Sequence, residues 1–376
     1  MLKKIKKLFQ NNYKFILGIF IGIILSTTTV YAANTIYSKN VTYDNSNSGL
    51  SATNVQDALD ETYTKCFPPK ATSKIINLYN DSSTINVVNI GGSTSNPQVK
   101  LNSTQGIMLD NNGDYRYYGA NPNNYVEFND ELWRIIGVFH DVDDGTGKKE
   151  TRVKIIKHEL IGQYSWDSSA STVNSGRGKN DWTQADLMTA LNTLYYNSTS
   201  GTCYNGQNNA STNCDFTNTG LSSTARSMVD DAIYYLGGSS TENSLYADDY
   251  YKTERSTSVY TGNKTTWTGK IALMYPSDYA YAADLSLCTQ DGYNYGDSTC
   301  KNNDWLFNQG KGQWTLMSST SSPYLSFGIG TSGVIYAHYS YFGYNIFPVL
   351  YLKSDVAISG GSGTSEDPYK LSLYLS

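Results

Sequence analysis

The order of sequence patterns predicts an α+β fold. Short apolar runs paired around turn residues come first, two stretches with helical apolar spacing follow, and strand-like runs then continue to the C-terminus. Strands and helices are grouped, which excludes the alternating strand–helix–strand plan of a parallel sheet. At 376 residues the chain is long enough for one substantial core plus accessory segments.

Residues 1–32 read as a secretion signal. Lys3, Lys4, Lys6, Lys7 and Lys14 make a basic start, residues 15–25 are unbroken apolar, and Val30-Tyr31-Ala32 supplies small residues at the −3 and −1 positions of a cleavage site. Apolarity ends at Ser26, short of the about 20 residues that a spanning helix needs. Cleavage and an uncleaved anchor are the two outcomes. No cysteine follows the run to accept a lipid, and the last residues carry neither the apolar tail nor the basic stop of a sortase anchor. The expected location is secreted or cell-surface. Charge agrees: the net −5 includes five lysines and no acid in residues 1–32, so the rest carries −10. Nucleic-acid binding demands the opposite, a basic face. Thirty-three tyrosines against eleven phenylalanines give a surface suited to amphipathic contact, although an AT-rich genome produces the same skew.

Residues 33–69 read as a stalk. Thr53 and Gln56 have the spacing of a capping box, and Val55, Ala58, Leu59 and Tyr63 recur at helical spacing, predicting a helix over 53–65 that Pro68-Pro69 ends. So short a helix is marginal alone and needs a partner surface. Residues 70–100 read as a polar linker with one short strand near 84–90, and the main α+β domain as 101–376. Within it, Asn111-Asn-Gly-Asp114 and Asp143-Asp-Gly-Thr-Gly147 are turns of two hairpins. Asn180 or Asp181 caps a helix over 182–196. Ser222 or Ser223 caps a second that runs to Leu236 and stops at Gly237-Gly238. Strands are predicted at 270–274, 314–317, 324–329, 333–339, 347–352 and 369–374.

Five cysteines divide into two local pairs and one remainder. Cys203 with Cys214 and Cys288 with Cys300 each close a loop of roughly a dozen residues, worth about 3 kcal/mol per bridge. An exported chain makes disulfides the natural reading. Cys66 is left to pair with a second chain or to remain a free thiol.

Trp133 in Leu132-Trp-Arg-Ile-Ile136, Trp182 at the first helix, Trp314-Thr-Leu-Met317-Ser and Phe347-Pro-Val-Leu350 carry a resemblance. Over 106–375 the chain resembles an uncharacterised bacterial surface domain related to the C-type-lectin-like and formylglycine-generating-enzyme folds. Members read Trp-x-Leu-Arg-Ser and Gly-Val-Arg-Pro-Val; here Met317 and Phe347 occupy the two arginine positions, so no ligand role carries over through those arginines. Separately, residues 49–61 resemble segments of phage fibres and of Gram-positive surface proteins, where such helices sit at trimer axes. That implies a homo-oligomer formed through 53–65.

The lectin-like resemblance implies a ligand zone on the later strands and loops, here Trp305, Tyr324, Phe327, His338, Tyr339, Tyr341 and Tyr344, for a surface protein or glycan. Strand alternation assigns Trp314, Leu316, Val334 and Tyr336 to the core and turns His338, Tyr339 and Tyr341 outward. No cofactor is expected. Calcium is the one candidate ion, at Asp141, Asp143, Asp144 and Glu150 around Gly145 or at Asp291, Asn294 and Asp297. At the first of these the glycine falls one place early for a calcium loop. No enzyme is expected: His140, His158 and His338 sit in separate segments, and no serine lies in a Gly-x-Ser-x-Gly turn.

Overall fold

The structure is a computed structural model that describes residues 38–81, 84–92, 97–240, 244–307 and 312–373; the expected signal segment lies outside the described residues. The fold is α+β, with seven α-helices among the described residues and mostly antiparallel sheets. No described helix is long and apolar enough to cross a membrane. The chain divides into two units, Met1–Pro68 and Pro69–Ser376.

In the first unit, α1 (Val55–Cys66) is capped by Asn54 rather than by the expected Thr53. Asn54 is extended, its Oδ1 accepts from Asp57 N at 2.9 Å, and its Nδ2 reaches Asp57 Oδ2. Asparagine one place later does the same work, with Asp57 completing the reciprocal contact. Ala58 is buried, but Leu59 and Tyr63 are 59 % and 66 % exposed. Cys66 is an exposed free thiol.

The second unit begins with α2 (Ala71–Asn80), followed by β1 (Asn86–Asn89) and β2 (Gln98–Asn102). This corrects the reading of 70–100 as a polar linker. Ala71, Ile75 and Tyr79 recur every fourth residue and are buried, a stripe too thin to stand out among polar neighbours. The strands β3 (Ile107–Leu109), β4 (Tyr115–Tyr117), β5 (Tyr125–Phe128), β6 (Glu131–Asp143) and β7 (Lys149–Lys157) follow, with both predicted hairpins present as β3–β4 and β6–β7.

A short β8 (Gln163–Tyr164) leads to the first predicted helix. Asp181 caps it, accepting from Thr183 N at 3.0 Å, but an extended Ala185 interrupts it before α3 (Asp186–Thr189), which continues as a π-turn over Ala190–Tyr195. Leu187, Leu191 and Tyr195 form its buried stripe. The hairpin β9 (Ser200–Gly206) and β10 (Ala210–Asp215) carries the disulfide Cys203–Cys214. The second predicted helix is corrected. It is only α4 (Ser223–Ser227), capped by Ser222, and Ala232–Tyr235 is a strand, β11, paired with β12 (Thr266–Gly269). Ala225, Met228, Val229, Ala232 and Leu236 are buried at helical spacing, and Ala232, Tyr234 and Leu236 also alternate in twos along β11 and just past it. Gly237 does not end a helix; a Cβ there would lie 2.3 Å from Thr253 O.

Next come α5 (Ala247–Glu254), β13 (Ile271–Ala272), α6 (Pro276–Ala282) and α7 (Ser298–Lys301), the last ending at the disulfide Cys288–Cys300. The chain closes with β14 (Gln313–Ser318), β15 (Leu325–Ile329), β16 (Ile335–Tyr339), β17 (Tyr344–Asn345), β18 (Val349–Tyr351), β19 (Val356–Gly360) and β20 (Tyr369–Leu373). An eleven-stranded sheet runs β1-β2-β3-β4-β6-β5-β20-β19, with β7, β18 and β13 continuing from β6. A five-stranded sheet runs β16-β15-β14-β17-β8. The wholly buried α6 packs on β4 of the first sheet and on β14 and β15 of the second. Trp133, Trp166, Trp182 and Trp314 are fully buried in one core; such rings each remove about 150–250 Å² from water. The two disulfides fit oxidising, extracellular surroundings.

Candidate functional site

The smaller sheet builds an aromatic face from neighbouring strands. Trp314 pairs with Gly328, and Gly328 with Tyr336, so these positions share one side of the sheet. His338 lies two residues past Tyr336 on the same side, and Tyr344 folds over both, 4.7 Å from His338 and 4.8 Å from Trp314. Gly328 makes room for that ring. A Cβ there would lie 3.3 Å from the Tyr344 ring and 2.9 Å from Gln313 O.

The interior of the face is neutral. Tyr344 Oη and His338 Nε2 are 2.6 Å apart, and Tyr336 Oη follows 3.4 Å from Tyr344 Oη. Burial pulls the His338 imidazole down to about 4 and pushes the Tyr344 phenol well above its usual range. Both are uncharged at neutral pH. The Tyr344 hydroxyl and the neutral His338 ring therefore share a hydrogen bond without charge, its direction set by the ring's tautomer.

Toward the surface the rings continue. Tyr339 and Tyr341 lie nearly parallel, with centroids 5.7 Å apart and planes within 9°. Phe342, 38 % exposed, sits 4.7 Å from Tyr341 and 5.9 Å from His338. Tyr324 packs on Tyr339, and the Arg177 guanidinium covers both rings at 5.1 and 5.0 Å. Backbone contacts hold the 340–342 turn: Ser340 O accepts from Asp167 N, Tyr341 O from Ser165 Oγ, and Phe342 N donates to Tyr339 O. A ring platform fixed before a ligand arrives avoids the ordering cost of binding.

The structure brings together five of the seven expected ligand residues: Tyr324, His338, Tyr339, Tyr341 and Tyr344, all half-buried. The other two are corrected. Phe327 is fully buried, because strand alternation turns it to the core side of β15. Trp305 is 8 % exposed, donates Nε1 to Tyr117 O at 2.8 Å, and belongs to a different pocket. The expected split of Tyr336 from His338 also fails: two residues apart on one strand, they share a face and their rings meet at 3.8 Å. Arg177 and Phe342 were missed. Phe342 was legible as an apolar residue in a turn of tyrosines, whereas Arg177 is 147 residues or more before the rings it covers.

The other candidate groups are engaged locally. Asp143 accepts from Gly145 N and Gly147 N, and Asp144 from Thr146 N, so these carboxylates build their own turn. Asp291 accepts from Asn294, and Asp297 caps α7 through Thr299 N. Among the described residues no group of three or more His, Cys, Asp or Glu side chains is arranged to hold a metal. His140 faces Asp114 at 3.5 Å, which raises its pKa, and His158 lies 3.8 Å from Glu159. No protein family matches this chain, and neither a curated protein nor a solved structure matches it.

Proposed function

We propose that this chain is an exported cell-surface binding protein that recognises a protein or glycan ligand through the aromatic face of β15–β17. The observation that carries the reading is the continuous ring array from Arg177 and Tyr324 through Tyr339 and Tyr341 to the exposed Phe342, on a turn held by backbone hydrogen bonds. Rigid rings with polar edges suit protein contacts and stack on sugar rings. A secretion signal over 1–32, the two disulfides and the acidic balance support an extracellular site of action. The lectin-like relationship drawn from the tryptophan and Phe347 motifs supports the same role, with no catalysis. The test is binding of the chain from Ala33 onward to glycan and cell-surface-protein arrays, with and without calcium. A Tyr339→Ala/Tyr341→Ala/Phe342→Ala variant runs in parallel. Saturable binding that the folded variant loses is expected; binding that survives would remove the face from the function.

A second reading, an oligomeric surface component, is favoured by α1 alone. Its Leu59 and Tyr63 are exposed together with Phe67 beyond its end, an apolar stripe that a second copy would cover. Mass in solution with and without residues 33–68 tests it: a monomer in both cases ends the idea.

A further inference from the structure

The larger sheet holds a cation that no carboxylate among the described residues neutralises. Five Lys and Arg side chains are buried among the described residues: Arg116, Arg134, Arg152, Lys154 and Lys157. Four face a carboxylate, namely Arg116 with Asp110, Arg152 with Glu150, Lys154 with Asp278 and Lys157 with Glu131. Arg134, on β6 and 6 % exposed, faces none. Its Nε donates to Asn124 Oδ1 at 2.7 Å, and its Nη2 to Pro122 O at 3.2 Å and Asn121 Oδ1 at 3.4 Å. The guanidinium lies between two rings, 4.1 Å from the centre of Tyr125 and 4.5 Å from that of Trp305. All of these partners are neutral. Burial lowers its pKa only to about 10, so it is cationic at neutral pH.

This guanidinium lines a pocket of about 260 Å³, together with His158, Gln313, Phe307 and Phe347. No hydrogen bond engages its Nη1 among the described residues. Lys157 also lines the pocket but is spoken for by Glu131. Glu159 is the one carboxylate in the wall; its side chain is 74 % exposed and lies beside His158. A buried charge without a counter-ion is unfavourable, and the unengaged Nη1 leaves this guanidinium one nitrogen with which to donate to a carboxylate. The volume lies just below the usual range of small-molecule sites, about 300–1,000 Å³.

We propose that this pocket binds a small carboxylate-bearing molecule of sugar-acid size, its carboxylate received by Arg134 and its body packed against Phe307 and Phe347. None of the pocket residues belongs to the aromatic face, so the site stands apart from the recognition role proposed above.

The test titrates the full chain with sodium glucuronate and, as the uncharged match, with glucose, read by calorimetry. Saturable glucuronate binding with a dissociation constant on the order of 1 mM or tighter is expected, and glucose at least about tenfold weaker. Arg134→Met and His158→Trp should each weaken glucuronate at least about tenfold, with folding checked by thermal unfolding. The second variant keeps the guanidinium and fills the pocket from its half-exposed rim. In the unaltered chain the Arg134 Nε–Hε NMR resonance should move with the same midpoint. Equal affinity for glucose, no saturation at about ten times the expected constant, an unmoved Arg134 resonance, or full binding in the folded His158→Trp variant would each overturn the proposal.

Discussion

His338 is set among four rings, those of Trp314, Tyr336, Phe342 and Tyr344, and its environment fixes its protonation. Burial favours the neutral imidazole and pulls its pKa to about 4. Because the folded value lies below the unfolded one of about 6.5, the stability tied to this ring is present above pH 6.5 and is lost as pH falls through 4. An NMR titration of the His338 ring protons should give a midpoint near 4, and ligand binding on the aromatic face should fail in the same interval. A midpoint near 6.5 would mean a solvated ring. Asp167 behaves oppositely. Burial first, and then the Asp186 carboxylate, raise its pKa to about 7. A carboxyl raised in the folded state contributes stability below its unfolded value near 3.8 and loses it as pH climbs through 7. The difference in unfolding free energy between Asp167→Asn and the parent should therefore drift toward the variant with rising pH. The drift should reach up to about 4 kcal/mol between about pH 3 and pH 8. A difference that is flat with pH would refute the raised value. Neither shift was legible beforehand, since each depends on neighbours supplied by other segments.

At the scale of elements, the turn that carries Arg177 rests on Gly178. Its φ of 81° favours glycine, and a Cβ there would lie 2.3 Å from Asp167 O. Gly178→Ala should cost about 1–3 kcal/mol in urea unfolding and displace Arg177 from Tyr324 and Tyr339. An unchanged midpoint would show that the turn relaxes freely. Elements with strong local signals were the legible ones. The two hairpins around Asn111-Asn-Gly-Asp114 and Asp143–Gly147 form where turn chemistry placed them, and β14, β15 and β16 lie within a residue or two of their expected limits. The 223–236 stretch failed for a definite reason. Ala225, Met228, Val229, Ala232 and Leu236 keep a helical spacing, while Ala232, Tyr234 and Leu236 also alternate in twos, and pairing of β11 with β12 decides for the strand. The missed α5 and α6 are both capped by a tyrosine and an aspartate, Tyr246 with Asp249 and Tyr275 with Asp278. Tyrosine is not a residue that announces a helix start, so the sequence carries no cap signal for either helix.

For the molecule as a whole, the least legible feature is the charge network that ties its layers together. Asp278, at the start of α6, is fully buried; its Oδ2 accepts from Lys154 Nζ on β7 and from Tyr275 N, and its Oδ1 from Arg116 Nη1 of β4 at 3.2 Å. Arg116 continues to Asp110 at 2.6 Å, and Glu254 of α5 grips the first turn of α6 through Ser277 N and Oγ. Lys154 and Asp278 stand 124 residues apart, so no motif spacing could link them. Burial alone would raise the Asp278 carboxyl, but Lys154 and Arg116 outweigh it and hold the group below its ordinary range. Replacing Asp278 by alanine leaves two buried cations without this partner, and the cap at Tyr275 N goes with it. The expected cost is about 3–5 kcal/mol in reversible denaturant unfolding. Lys154→Met alone removes a charge whose absence leaves Asp278 with Arg116, so its cost should be smaller. Combining Lys154→Met with Asp278→Leu deletes both charges while keeping volume, and the pair should couple favourably by at least about 1 kcal/mol relative to the sum of the single changes. Additive effects would mean that the two charges do not interact, and with that the ionic tie between β7 and α6 would have no energetic content.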